Sequence, residues 1–329
     1  MIVEVAEASQ VAAARRAAVE LSRRYQFEDV REGRVALIAT EMATNLVKHA
    51  GGGKIVIGCF DDATGAGVEL LSLDGGTGIS DLSRAMEDGT SSAGSMGGGL
   101  GAIRRQSDVF DIFSRPDSGT VIVSRVAASD PSRARTGGAV VGGIVVPYPG
   151  ETVSGDCWGY AVTGEGPTLM VFDGSGHGVL AEKAASVALT AFHENVNKPC
   201  VSLATAIHKA LAPTRGGALS VARIDPEARI IRYVGIGNIS GTLIADGSMK
   251  RMISNNGIAG HVASTIREFA YPYHVSEATI VLHSDGLSGK WDITAYPGLA
   301  FSHPSAIAGT LFRDHIRGRD DASIVAVRV

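Results

Sequence analysis

The chain has 329 residues, 45% apolar and only 5% aromatic, with 42 Gly and a formal net charge of −4. That length suits two domains of ordinary size with cores of Ala, Val, Ile and Leu. The slightly acidic balance, without a basic run, excludes nucleic-acid binding by counterion release. Cys59, Cys157 and Cys200 are scattered and make neither a metal quartet nor a disulfide framework. No stretch of about 18 apolar residues is present to span a bilayer, and "MIVEVAEASQ" lacks a signal pattern. The expectation is a cytoplasmic chain that engages neither membrane nor nucleic acid.

In chain order, residues 9–25 and about 29–50 read as helices. In the second, Val35, Ile38, Met42 and Leu46 recur at helical spacing and make a buried face. Glu41, Asn45 and His49 recur at fours and make a polar stripe along another side. "GGG" at 51–53 ends the helix. Strand-like runs follow at 54–60, 67–73, 109–114 and 119–126, with a short helix at about 99–107.

Between them lie two glycine-rich segments. "LSLDGGTGISD" (71–81) ends a strand on Asp74, followed by Gly76 and Gly78. A carboxylate beside bare backbone can accept from a purine amino group, and glycines leave room for a flat base. "GSMGGGLG" (94–101) opens a helix and offers backbone N–H groups to phosphates. Asn45 can hold Mg²⁺ between those phosphates, and Glu41, one turn away, can take a proton from an attacking hydroxyl. A Walker loop would need Lys-Ser/Thr after its last glycine, where Leu100-Gly101-Ala102 stands. A Rossmann fingerprint would sit in the first turn of a βαβ unit, whereas this loop follows two helices and two strands.

"AASDPSRARTGGA" (127–139) is small, polar and Pro/Gly-containing between two β-like runs, and reads as a linker between a domain at 1–126 and another at 140–329. In the second half, carboxylates recur at strand ends. Asp156 stands in "VSGDCWGY", Asp173 in "LMVFDGSGHG", Asp285 in "IVLHSDGLSG", and Asp320 and Asp321 just before the last strand. Strand ends of one sheet can converge on one rim. Hard oxygen ligands suit Mg²⁺ or Mn²⁺ rather than zinc, and two such ions can share a bridging water as nucleophile.

These motifs carry a resemblance. "EMATNLVKHA", "DGGTGISD", "GSMGGGLG" and the "GT" at 119–120 resemble the boxes of the GHKL ATPases, and residues 1–126 resemble the small serine kinases of bacterial partner-switching and stressosome systems, the RsbT type. The resemblance implies a Bergerat α/β sandwich that binds ATP and Mg²⁺. It implies Glu41 as general base, Asn45 on Mg²⁺, Asp74 on adenine with Gly76 and Gly78 beside it, Gly97, Gly99 and Gly101 in an ATP lid, and Thr120 closing the site. The implied phosphate acceptor is a Ser or Thr on a STAS-domain partner.

"SGD", "DGSGHG", "RGGALSVARID", "GIAGH", "HSDGLSG" and "DDASIVAV" resemble the PP2C-type phosphatases of the SpoIIE and RsbX branch, over roughly 140–329. That implies a PP2C-like αββα sandwich and two Mn²⁺ or Mg²⁺ ions. The implied ligands are Asp173, the Gly174 carbonyl, Asp285 and Asp320, with Asp156 touching a metal directly or through water. Asn238 is expected to support the site. No Arg precedes Asp156 as it does in eukaryotic relatives, so phosphate binding is expected from metals, water and backbone. His177 is read as a surface histidine rather than a general acid, and Cys157, without a paired His or second Cys, is not read as a nucleophile.

The resulting expectation is a two-domain α+β signalling enzyme. It phosphorylates, and dephosphorylates, a STAS-type protein or related phosphoprotein, with a homodimer left open. The alternative is a first domain that only binds ATP, as an anti-sigma-like regulatory module beside an active phosphatase.

Overall fold

Val35, Ile38, Met42 and Leu46 are all buried in the computed structural model, as their spacing predicts. The structure describes residues 1–86, 99–129, 138–245, 247–263, 265–275 and 277–329. They form two units, Met1–Gly137 with Phe301–Arg313, and Gly138–Ala300 with Asp314–Val329. The fold is two-domain α+β, as expected.

The first unit begins with a short strand absent from the sequence reading, β1 (Ile2–Val5). Helices α1 (Ala8–Arg24) and α2 (Asp29–Asn45) follow, then a π-helical turn (Leu46–Ala50) that ends on Gly51 in the left-handed region. Strands β2 (Gly53–Asp62) and β3 (Gly65–Leu73) make a hairpin. Short helices α3 (Leu82–Ala85) and α4 (Gly99–Gln106) precede β4 (Val109–Ser114) and β5 (Thr120–Ala127). The sheet runs β1-β2-β3-β5-β4, and its pairs are antiparallel.

Strand alternation decides which side chains meet the helices. Ile55, Ile57, Val68, Leu70, Ile122 and Val126 share a core with Ile38, Met42 and Leu46. The other sheet face carries Glu69, Leu71, Leu73, Val121, Val123 and Arg125, all buried. Helix α7 (Pro304–His315) lies against that face: a Cβ on Gly309 would stand 2.9 Å from Leu73 and 3.2 Å from Val121. Sequence division at 127–139 leaves these residues in the second domain, whereas Phe301–Arg313 group with the first unit.

Arg125 is fully buried on this face. It donates to Glu69 (2.6 Å) and Asp62 (2.7 Å), and Ser305 Oγ donates to the same Glu69 oxygen at 2.6 Å.

In the second unit, β6 (Val140–Val146), β7 (Asp156–Thr163) and β8 (Gly166–Gly174) lead to α5 (Val179–Asn195) and α6 (Cys200–Ala210). Then come β9 (Gly217–Asp225), β10 (Ile230–Ile236), β11 (Ser240–Ala245), β12 (Ser248–Met252), β13 (Glu268–Pro272), β14 (Thr279–His283) and, after α7, β15 (Ala322–Arg328). They build two sheets, β13-β10-β9-β8-β7 and β12-β11-β14-β15-β6. Leu169, Val171, Leu282 and Val325 lie in the core common to the sheets, while Met170 and Phe172 turn outward onto α5 and α6. Strand β8 is therefore apolar on both faces, which is why it reads as a continuous run. Ala184 and Ala188 of α5 pack in the same cluster as Leu203 and Ile207 of α6.

The buried network of Arg125 yields a stability test. Arg125→Ala strands two carboxylates away from water, so urea unfolding is expected to show a loss of about 3–5 kcal/mol. A loss below about 1 kcal/mol would mean that water reaches Asp62 and Glu69 once the arginine is gone.

Candidate nucleotide and metal sites

Glu41 and Asn45 stand one turn apart near the end of α2, both partly buried. Gly99 opens α4 directly above them. A Cβ there would stand 3.2 Å from Glu41 Oε2 and 3.3 Å from Asn45 Oδ1. These three residues therefore meet at one place, the start of the helix that the glycine-rich segment leads into. His49 does not join them as the spacing by fours would have it. The helix changes to π geometry at Leu46, each turn then takes more than four residues, and His49 is exposed.

Asp74 follows β3, and its carboxylate is held by backbone. Oδ1 accepts from Gly76 N–H at 2.9 Å and from Thr120 N–H at 3.1 Å. Burial raises its pKa, and those N–H groups together with Arg313 pull the other way. Arg313 donates to the Asp74 carbonyl at 2.9 Å. Thr120 thus supports Asp74 through its N–H, while its hydroxyl is 2.8 Å from Ser114 Oγ. Gly76 lies against Ala50, the last residue of the π turn.

The backbone itself requires glycine at Gly78. Its φ is +66°, and a Cβ would stand 1.9 Å from the Arg115 carbonyl oxygen. Gly101 is buried within α4. Gly97 lies outside the described residues, as does most of the expected lid.

In the second unit the acidic residues come from both sheets rather than one. Asp156 begins β7 and pairs in register with Asp173 near the end of β8. Asp285 lies just beyond β14, and Asp320 just before β15, in the opposite sheet. Asp173, Gly174, Asp285 and Asp320 line one pocket of about 550 Å³, together with Asn238, Asn256 and Ile258. Asn238 Nδ2 donates to Asp285 Oδ2 at 2.7 Å. Asp156 does not line the pocket; it is buried, and its Oδ2 has no hydrogen-bond partner.

Local backbone explains the Asp-Gly pairs. A Cβ on Gly286 would stand 2.1 Å from the Asp321 carbonyl oxygen, and one on Gly217 2.0 Å from that of Asp173. Asp321 itself is buried and structural. Its carboxylate accepts from Tyr148 N–H at 2.7 Å and Gly155 N–H at 2.8 Å, fixing the segment before Asp156.

The electrostatics suit cations. Burial, then the charges of Asp156 and Asp285, push Asp173 up to about 8. Burial, opposed by the hydroxyls of Ser284 and Ser323 and reinforced by Asp321 and Asp320, pushes Asp156 up to about 7. Among the described residues, no three acidic, histidine or cysteine side chains already have the geometry to hold an ion. The donor set is nevertheless all oxygen, and the orphaned Asp156 oxygen and the crowded carboxylates fit a divalent cation. Cys157 is pushed up to about 12 by burial and by Asp156, which removes thiolate chemistry.

Three residues that the sequence reading did not use stand beside the turn at 173–178. Glu151 is 3.2 Å from His177 Nδ1, and Tyr148 stacks on the same ring at 4.2 Å. Arg215 is exposed, with Nη1 3.1 Å from where a Gly176 Cβ would be. Ser175 N–H donates to Gly216 O at 2.9 Å, so backbone pairing sets Arg215 next to the turn. Its only sequence signal was a cation before "GGALSVARID", forty residues from the nearest acidic motif.

Residues 5–125 match the model of the histidine kinase-like ATPase domain. Over 112 residues the chain is 33% identical to the serine/threonine-protein kinase RsbT of Bacillus subtilis (strain 168), covering 34% of this chain and 84% of that one. A solved structure of the bacterial stressosome, described as a modular system adapted to control secondary messenger signalling, aligns with a TM-score of 0.53 at 22% identity, over 57% of this chain and 98% of its own. RsbX in complex with magnesium aligns at 0.49 and 18%, over 56% and 92%. The chain belongs, through its N-terminal unit, to the RsbT-type serine/threonine kinases of the histidine kinase-like ATPase family, joined to a second unit of mixed α and β structure.

Proposed function

We propose that the chain is a bifunctional enzyme of a partner-switching pathway, which transfers phosphate from ATP to a Ser or Thr of a STAS-domain protein and removes it from the same or a related phosphoprotein. The observation that carries this is that each unit gathers a separate set of reactive groups. Glu41 and Asn45 meet under Gly99 in the first, and Asp173, Asp285 and Asp320 meet in one pocket in the second.

In the first unit, Asp74 accepts from the adenine amino group, since its carboxylate is oriented by Gly76 and Thr120. Asn45 holds Mg²⁺ on the phosphates. Glu41 takes the proton of the acceptor hydroxyl. Phosphoryl transfer depends mostly on such positioning and charge. In the second unit, Asp173, Asp285, Asp320 and the Gly174 carbonyl hold two Mn²⁺ or Mg²⁺ ions, with Asp156 behind them. Bound there, the metals supply a water of lowered pKa and neutralise the phosphate. Asn238 orients Asp285 by its hydrogen bond, and Arg215 offers a cation to the arriving phosphate.

Two sets of variants test the reading. Glu41→Ala is expected to bind ATP and to lose transfer of γ-phosphate to a STAS-domain protein. Asp74→Asn weakens ATP binding by about 1–3 kcal/mol, the scale of a charge-assisted hydrogen bond; both are read by calorimetry and labelled transfer. A wild-type chain that binds ATP without transferring it would favour the alternative, an anti-sigma-like binding module.

Asp173→Asn and Asp285→Asn are each expected to cost at least about 3 kcal/mol in Mn²⁺-dependent dephosphorylation, over a hundredfold, with ATP binding unchanged. The double variant should be little worse than either single one, because ligands of one cluster act as a unit. Activity that survives EDTA would mean these aspartates are only turn residues.

A further inference from the structure

Helix α7 meets β3 and the residue after it through a stripe of residues four apart. Ser305 Oγ donates to Glu69, a Cβ on Gly309 would stand 2.9 Å from Leu73, and Arg313 Nη1 donates to the Asp74 carbonyl at 2.9 Å. Residues spaced by four share one face of a helix. Arg313 therefore arrives at Asp74 because the rest of that face is already seated. Pro304 through Phe312 are all buried, which fixes the helix, and the segment as far as Arg313 belongs to the first unit.

At Asp74 two acceptors compete for one donor. The single N–H of Thr120 stands 3.1 Å from Asp74 Oδ1 and 3.3 Å from the Asp74 carbonyl oxygen. A shared N–H gives neither acceptor a whole bond. Arg313 offers the carbonyl a second donor, shorter and charged, and charge-assisted bonds are the stronger ones. That leaves the Thr120 N–H to the carboxylate, where Gly76 N–H joins it on the same oxygen. Gly119 keeps the approach clear, since a Cβ there would stand 2.0 Å from the Asp74 carbonyl oxygen.

We infer that Arg313 is a positioning residue of the nucleotide site: by occupying the Asp74 carbonyl it fixes the Asp74 carboxylate, with Oδ1 held by backbone and Oδ2 left for an adenine amino group. The inference rests on reading Asp74 as the adenine acceptor, and adds what makes that acceptor selective. Charge supports it. Burial pushes the Asp74 carboxyl up, and Arg313 draws it back toward the ionised form, which is the form that only accepts. Guanine presents a carbonyl where adenine has its amino group. A fixed, ionised carboxylate rejects that carbonyl, whereas a loosely held or protonated one tolerates it.

The test uses the full chain with Mg²⁺ and two probes, ATP and GTP, titrated by calorimetry. Wild type is expected to bind ATP at least about tenfold more tightly than GTP. Arg313→Met is expected to weaken ATP by about tenfold, the scale of a hydrogen bond with a charged partner, and to leave GTP within about twofold. Arg313→Gln, shorter and uncharged but still polar, is the milder second variant and is expected to lower the ATP/GTP ratio as well. Added to Asp74→Asn, Arg313→Met should change nothing further, because a residue that acts through Asp74 has nothing left to act on. Ser305→Ala loosens the same helix at its other end and should keep the wild-type ratio. A ratio taken within one variant does not depend on how much of that variant is folded.

Equal weakening of ATP and GTP by Arg313→Met overturns the inference and makes Arg313 a support of the fold. So does an unchanged affinity for ATP in both Arg313 variants, an additive loss in the double variant, or a fall in the ratio with Ser305→Ala. A wild type that binds ATP and GTP alike, or an Asp74→Asn variant that keeps the wild-type ratio, overturns the adenine reading of Asp74 itself.

Discussion

Carboxylates of like charge held close together out of water are the constraint on which the second unit turns. Asp156 and Asp173 sit opposite each other on adjacent strands, and each has its ionised form disfavoured by burial and by its neighbours. A fold does not place such groups together for stability, since each buried charge carries a desolvation penalty. Shared positive charge would make such an arrangement bearable. Glycines at 217 and 286 let backbones approach to distances that any Cβ would forbid, and this brings Asp173 and Asp285 to the pocket from different sheets. Asp321 spends both its oxygens on backbone N–H groups, which leaves Asp320 as the member of the pair that faces the pocket.

The first unit solves a different problem, that of keeping Glu41 and Asn45 one turn apart on one helix while turning the chain sharply afterwards. The change from α to π geometry after Asn45 does this. It ends the α-helical register at the last residue needed, and Gly51 then reverses the chain into β2. The same turn brings Ala50 against Gly76, so the end of α2 and the loop of Asp74 are packed together. The end of α2 and the Asp74 loop are thereby positioned by a single local distortion.

Much of this was legible in the sequence because the signals are local. Helical spacing at Val35, Ile38, Met42 and Leu46 gives the buried face of α2, and apolar runs that end in Asp-Gly give strand ends with carboxylates. The remainder depends on distant partners. That Asp156 and Asp173 belong to one sheet, and Asp285 and Asp320 to the other, follows from strand order, which no window of residues encodes. Arg215 owes its place to Gly216 pairing with Ser175, and Arg313 reaches Asp74 across more than two hundred residues. Gly78 reads as room for a base, and its left-handed backbone also meets Arg115, a contact between the loop after β3 and the β4–β5 turn that only the folded sheet creates. β1 is four residues long and carries Glu4, too short for alternation to register as a strand.

Helix α7 shows why chain order and structural unit need not coincide. Antiparallel sheets often leave one face to water, and then read as alternating polar and apolar. In the first unit both faces are buried, and every residue of β5 is buried with them. The sequence of β5 records this as a run in which Arg125 looks out of place. It is not, because Asp62, Glu69 and Ser305 complete it. Ser305 comes from α7, some 180 residues later, so the charge balance of the ATPase sheet is finished by a segment that the chain supplies between β14 and β15. A fragment that ends at residue 137 would keep Asp62, Glu69 and Arg125 but lose the hydroxyl that joins them and the helix that shields them. Arg313 at the other end of the segment carries the same logic to the Asp74 loop, where it is bonded to the carbonyl of Asp74. The first unit is thus complete only when the second half of the chain has been made, and Asp74 is held at its carboxylate by the first half and at its carbonyl by the second.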